Sequence, residues 1–118
     1  MQYDIDSVSR EFRINMENLC SLYRIYIKEV QNYFTQIDKL PINNDWNKIQ
    51  TLIHKIKGMS ENLKVLDVYN EAKIIDDLIW ENKFEDILEK IKALKITFFD
   101  AQKNIIKAFE DKGMVIYR

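Results

Sequence analysis

The stretch over residues 52–60 holds the only histidine of the chain, His54, and one of its two glycines, Gly58, four residues later. Imidazole is the side chain that can act as a neutral nucleophile near pH 7, so His54 is well suited to covalent chemistry. The surrounding pattern is helical, and a glycine inside a helix costs about 1 kcal/mol relative to alanine. We therefore interpret Gly58 as a missing side chain that lets another molecule reach His54.

Composition predicts an all-α protein with a single domain over residues 1–118. Of the 118 residues, 47% are hydrophobic and 31% are charged, which is enough to fill a core and to cover its surface. Only two glycines and one proline are present. Folds built from strands use turn residues at short intervals, so this scarcity favours long helices and few turns.

Charge and cysteine content exclude several classes of function. The net charge is −1, with 18 basic and 19 acidic residues, so no nucleic-acid partner and no membrane partner is expected. The apolar runs are too short to span a bilayer, and residues 1–4 lack the pattern of a signal peptide. Cys20 is the only cysteine, which rules out an intrachain disulfide. We expect a cytoplasmic protein without a metal site, because one histidine and one cysteine make a structural zinc site improbable.

Apolar residues spaced three and four apart predict a short first helix and four longer ones. The predicted segments are 4–13, 15–38, 45–63, 67–82 and a fifth from 84 to a stop at 113. Residues 43–45 have turn and N-cap chemistry, and the other expected N-caps are Asp4 or Asp6, and Asp67. The expected stops are Pro41, Asn82 and Gly113. The apolar tail over 114–118 either packs back on the other helices or is a plain chain end.

Four amphipathic helices joined by short loops predict an up-down-up-down four-helix bundle, with the short extra N-terminal helix covering one end. The short loops favour packing within one chain, so we expect a monomer. In the third helix, Ile49, Ile53 and Ile56 lie in the apolar stripe. At about 100° per residue, His54 lies nearly opposite the centre of that stripe and is expected to point toward solvent.

The residues around His54 resemble the histidine-containing phosphotransfer (HPt) domains of two-component relay systems. The family signature is a histidine, a lysine three residues later, then a glycine and a small or polar stretch that ends in leucine. In this chain the signature reads His54, Lys57, Gly58, Ser60 and Leu63. The resemblance covers essentially the whole chain, and four further residues are typical of the family: Asn44, Asp45, Trp46 and Ala72.

The resemblance implies a phosphorelay intermediate. His54 would carry a phosphoryl group, Lys57 would neutralise part of its charge, and Gly58 would leave room for a partner. The implied partners are receiver domains of response regulators and an upstream histidine kinase. The chain would need no cofactor, because the Mg²⁺ ion and most of the transition-state stabilisation belong to the receiver. No glycine-rich nucleotide loop is present, so the chain should not use ATP itself. The resemblance implies a phosphocarrier and not an enzyme, because the partner completes the transfer.

In this family the far nitrogen of the imidazole takes the phosphate, and a polar residue on the next helix often holds the other nitrogen. The resemblance places Asp76 in that role, where Gln or Glu is more usual, and Gln50 is the alternative. Two residues depart from the family pattern. Lys64 stands where a glycine commonly follows the leucine, and Glu61 is unusual so close to the site. Glu61 is predicted to pair with Lys57, four residues away, and so to modulate transfer.

Two other classes of function compete with this interpretation. One is a non-catalytic bundle that binds receiver or kinase domains without accepting phosphate, and it would tolerate a change of His54 to glutamine. The other is an enzyme that uses His54 as a general base, which needs a concave site and a second catalytic group within hydrogen-bond reach. A packed bundle with an outward histidine is expected to offer no such hollow.

Overall fold

The architecture is a bundle of four antiparallel helices with one short helix at its end. A computed structural model describes residues 3–41 and 45–116, and within these ranges it contains five helices and no strand. Their bounds are α1 Ile5–Phe12, α2 Met16–Asp38, α3 Trp46–Asn62, α4 Leu66–Trp80 and α5 Ile87–Glu110. Helix α2 packs on α3 and α5, α4 packs on the same two helices, and α1 packs on α2. The predicted all-α bundle with an extra N-terminal helix is confirmed.

The core joins the apolar stripes of the four long helices, and two buried tyrosines fix α2 against the end of α3. Tyr23 donates from its hydroxyl to the carbonyl of Leu63 at 2.6 Å. The hydroxyl of Tyr26 is 2.8 Å from that of Ser60, and both side chains are fully buried. Ser60 therefore completes the buried stripe of α3 as a partner for Tyr26. Burial raises the pKa of Tyr23 to about 12, so its hydroxyl stays a donor.

Two of the predicted N-caps, Asp4 and Asp45, are present, and Asn15 caps α2 without having been predicted to do so. Asp4, Asn15 and Asp45 each accept a hydrogen bond from a backbone N–H three residues later, at 3.0, 2.8 and 3.2 Å. Each satisfies a donor that the first turn of the helix would otherwise leave without a partner. Residues 43 and 44 of the predicted turn lie outside the described residues.

Two helix starts differ from the prediction. Helix α4 begins at Leu66 without a side-chain cap, and Asp67 lies in its first turn, where it accepts a 2.8 Å hydrogen bond from the Tyr3 hydroxyl. Helix α5 begins at Ile87 and not at Phe84. The Phe84 ring stacks on Trp46, with centroids 4.7 Å apart. Phe84 is therefore apolar because of this contact, which it makes from the turn before α5.

The helices end in the same way at four places. The chain turns through a left-handed residue, and two backbone hydrogen bonds close the last turn in the Schellman pattern. The left-handed residues are Arg13, Lys64, Asn82 and Gly113. At the end of α3, Val65 N–H donates to Ser60 C=O at 2.8 Å and Lys64 N–H to Glu61 C=O at 3.1 Å. Lys64 therefore adopts the left-handed conformation at the position where the family commonly has glycine.

The apolar tail packs on the bundle as far as it is described. Ile116 is buried, and Arg24 of α2 donates to the carbonyls of Ile116 at 2.6 Å and Val115 at 3.4 Å. Of the two alternatives left open by the sequence, packing back on the helices is the observed one. Residues 117 and 118 lie outside the described part.

Replacing Lys64 by glycine should stabilise the fold. A side chain at φ = 62° is strained, and glycine removes that strain at some cost in unfolded-chain entropy. We expect Lys64→Gly to raise the free energy of unfolding in urea by about 0.5 to 1 kcal/mol. Lys64→Ala is the matched control, because it removes the exposed 3.6 Å ion pair with Glu11 but keeps the Cβ. Equal stability of the two variants would contradict this account.

Candidate functional site

Helix α3 presents His54 to solvent. Its side chain is 68% exposed, whereas the neighbouring Ile53 and Ile56 are fully buried. Successive residues of a helix are rotated by about 100° from one another. His54 therefore lies on the outer face of α3, as predicted, while the two isoleucines lie on the inner face. The inner face of α3 packs in the core, so the helix positions the imidazole on its outer face without enclosing it.

One carboxylate on α4 binds three side chains of α3. Asp76 Oδ2 is 3.1 Å from His54 Nδ1 and accepts a 2.8 Å hydrogen bond from Lys57 Nζ. Asp76 Oδ1 accepts from Gln50 Nε2 at 3.3 Å. Both residues proposed to orient the imidazole therefore lie at the site, and Asp76 is the one that contacts the ring. Aspartate reaches Nδ1 despite being shorter than the Gln or Glu typical of the family.

The charges of this cluster stabilise one another. Asp76 is 7% exposed. Burial alone would raise its pKa, but hydrogen bonds from Lys57, His54 and Gln50 hold the pKa below its ordinary value of 3.8. The hydrogen bond to Asp76 raises the pKa of Lys57 above 10.5, against the opposing effect of desolvation. Asp76 is therefore an anion and Lys57 a cation over the whole physiological range.

An ionised carboxylate can only accept hydrogen bonds, so Nδ1 of His54 must be the donor in this contact. In the neutral ring, the other nitrogen, Nε2, then has no proton and keeps its lone pair. The Asp76 contact thus selects the tautomer in which Nε2 is the nucleophilic atom.

Gly58 has no structural role that a side chain would disturb. A Cβ built at this position meets nothing within 4 Å beyond the helix itself, and the residue is not at a positive φ. Packing within the chain therefore does not explain a residue that weakens the helix. The bare surface lies one turn after His54.

The predicted pairing of Glu61 with Lys57 is wrong in this structure. The Lys57 ammonium binds Asp76, which is nearer to the core and is shielded from water. Glu61 instead lies near Tyr69 of α4, where its carboxylate raises the pKa of the Tyr69 hydroxyl. The modulating role assigned to Glu61 thus loses the contact on which it was based.

A groove of about 440 Å³ lies beside His54, which corrects the expectation that the outer face offers no hollow. It runs between α3 and α4, and Trp80, which is 79% exposed, forms part of its wall. The lining residues are Gln50, Thr51, His54, Lys55, Asp76, Asp77 and Trp80. The sequence could not show this groove, because it forms where a large side chain at the end of one helix stands beside another helix.

Comparison with known families identifies the chain. The model of the Hpt domain matches residues 21–105, which include α3, α4 and every residue of the cluster around Asp76. The chain belongs to the Hpt domain family. Hpt domains are phosphocarrier modules of phosphorelays and have no catalytic activity of their own. Comparisons with curated proteins and with solved structures gave no match.

Two further properties of this Hpt domain follow from the described residues. None of the helices within 3–41 and 45–116 is long and apolar enough to cross a membrane. In the same ranges, no three His, Cys, Asp or Glu side chains lie together as metal ligands would.

The Asp76 cluster predicts a pH-dependent stability. A folded-state pKa below 3.8 means that the contribution of the anion is complete above pH 3.8 and is lost as the pH falls through the folded value. At pH 7, Asp76→Asn should lower the free energy of unfolding by about 1 to 3 kcal/mol, because Lys57 loses its partner. The difference between the variant and the wild type should shrink below pH 3.8.

Urea unfolding of both proteins at pH 7 and at several values between pH 2 and 4 tests this expectation. Asp77→Asn is the matched control, because its carboxylate is exposed and its 3.6 Å ion pair with Lys73 lies on the surface. A difference between wild type and Asp76→Asn that stayed constant down to pH 2 would show that the charge of Asp76 does not stabilise the fold.

Proposed function

We propose that this Hpt domain carries a phosphoryl group on Nε2 of His54 and exchanges it with the aspartates of receiver domains. The observation that carries the proposal is the hydrogen bond between His54 Nδ1 and Asp76 on an imidazole that is 68% exposed. It fixes the ring and its tautomer while leaving the opposite nitrogen available to a partner. An upstream histidine kinase is the expected source of phosphate in the relay.

The transfer balances without a general base on this chain. The Nε2 lone pair attacks the phosphorus of an aspartyl phosphate, the P–N bond forms as the P–O bond breaks, and the aspartate leaves as a carboxylate with the bonding electrons. The Nδ1 proton stays in its hydrogen bond to Asp76. The positive charge that develops on the ring is then next to an anion. The reverse sequence returns the phosphoryl group to a second receiver.

Lys57 and Gly58 have complementary parts in this proposal. A phosphoryl group on His54 would add about two negative charges and give the Lys57 ammonium, one helical turn away, a second acceptor besides Asp76. Gly58 leaves the surface beside the imidazole open to the receiver. The Mg²⁺ ion of the reaction is expected in the receiver, whose acidic site completes the geometry.

The direct test mixes the protein with a phosphorylated receiver domain and Mg²⁺. We expect labelled protein whose label is labile in acid and stable in alkali, and no label on His54→Gln. Circular dichroism of the variant checks that its helices are intact, since an exposed side chain contributes little to the fold. No label from several receivers on folded wild-type protein would favour the alternative, a bundle that binds receivers or kinases without phosphotransfer.

Gly58 supplies a second prediction with a built-in control. Gly58→Ala and Gly58→Leu should both fold, and alanine should raise the free energy of unfolding by about 1 kcal/mol, because its Cβ points into open space. Gly58→Leu should block transfer from a receiver domain but still accept phosphate from phosphoramidate, which is too small to meet the leucine. Undiminished transfer from the receiver to Gly58→Leu would show that partners do not approach over Gly58.

A further inference from the structure

Trp80 is the most exposed large hydrophobic residue in the described part of the chain, at 79%. A single exposed apolar side chain is common on protein surfaces and needs no explanation by itself. Trp80 differs from such residues because it lines the same groove as His54. A large ring therefore stands in water next to the imidazole.

The fold holds Trp80 in a fixed place relative to the imidazole. Asp76, which binds His54 Nδ1, lies four residues before Trp80 and so on the same face of α4. Trp80 is the last residue of this helix, and the Schellman hydrogen bonds close the turn behind it at 2.8 and 3.0 Å. The ring thus projects from a regular helix end that is tied to the site by one helical turn.

An interface of standard size that is centred on the imidazole of His54 covers Trp80. The reacting atoms must approach to about 3 to 3.5 Å. A specific interface covers about 800 Å² of each partner, which is a disc of roughly 16 Å radius. Trp80 lies one turn along α4 from Asp76, on a helix whose axis is about 8 to 10 Å from that of α3. It therefore falls inside the disc centred on the imidazole.

We propose that Trp80 is the docking anchor for the receiver domain, and that an apolar side chain of the receiver enters the groove between Trp80 and His54. The proposal rests on the proposed function, because it takes the receiver as the partner. Tryptophan is among the residues that most often dominate the energy of an interface. The rest of the groove fits a polar rim around an apolar centre, with Gln50, Thr51, Lys55 and Asp77 along its wall.

A second copy of this chain fits the groove less well than a receiver does. A copy seated between Trp80 and His54 would cover the imidazole and exclude the phosphoryl donor. A receiver that fills the same space brings its own aspartate to Nε2, so docking and transfer use one geometry. Sedimentation of the free protein distinguishes the two occupants.

The experiment separates docking from chemistry by using two phosphoryl donors. Wild type, Trp80→Ala and Ile96→Ala are first labelled with phosphoramidate, which needs no docking surface. Transfer from each labelled protein to a receiver domain with Mg²⁺ is then followed over a range of receiver concentrations. Ile96→Ala is the matched control, because Ile96 is 71% exposed on α5 and does not line the groove.

We expect Trp80→Ala to be labelled by phosphoramidate at the wild-type rate. The receiver concentration for half-maximal transfer should rise at least about tenfold, with the rate at saturation changed by less than about twofold. Ile96→Ala should match the wild type in both assays. A wild-type concentration dependence in Trp80→Ala would overturn the proposal, as would slower labelling by phosphoramidate or a dimer that Trp80→Ala dissociates.

A binding titration keeps this result separate from the proposed function. His54→Gln and the double variant His54→Gln with Trp80→Ala are titrated with the same receiver by calorimetry. If wild type accepts no label from any donor but the double variant binds the receiver more weakly than His54→Gln, the phosphocarrier function fails and the docking anchor stands. If label transfers normally and the two titrations agree, the anchor fails and the function stands.

Discussion

The site depends on the contacts that the buried carboxylate of Asp76 makes. Burial of an anion away from water is strongly unfavourable unless positive charge and hydrogen bonds offset the loss of hydration. Helix α3 supplies these from Gln50, His54 and Lys57, which are spaced so that all three side chains lie on the edge facing α4. The same contacts that keep the anion charged therefore set the rotation of α3 against α4 and the orientation of the imidazole.

The fold could be predicted from the sequence to the extent that it depends on local spacing and capping. The outward direction of His54 follows from helical geometry, and the caps at Asp4 and Asp45 follow from their side chains. The start of α5 could not be placed in this way, because Phe84 continues the helical spacing but is used in a stack with Trp46. An apolar residue at a helical interval does not show whether it packs from a helix or from the turn before it.

The site was less predictable, because its contacts join two different helices through residues 19 to 26 positions apart. The sequence predicts Glu61, on the same helix, as the partner of Lys57, whereas the structure pairs Lys57 with Asp76 on the next helix. Spacing along the helix favours Glu61, since residues four apart are neighbours. The structure favours Asp76, because an ion pair shielded from water is stronger than one on the surface and the buried anion needs the lysine more. That preference depends on the depth of Asp76, which only the packing of α3 on α4 determines.

Asp76 and Gly58 affect stability in opposite ways, although they flank the same imidazole. Asp76 joins two helices, so its contacts stabilise the bundle and orient the ring together. Gly58 weakens α3 and gains no contact within the chain. Gly58 thus has a cost to the fold and no internal contact that explains it. The proposed function supplies a reason, because a receiver would have to reach the imidazole over open backbone.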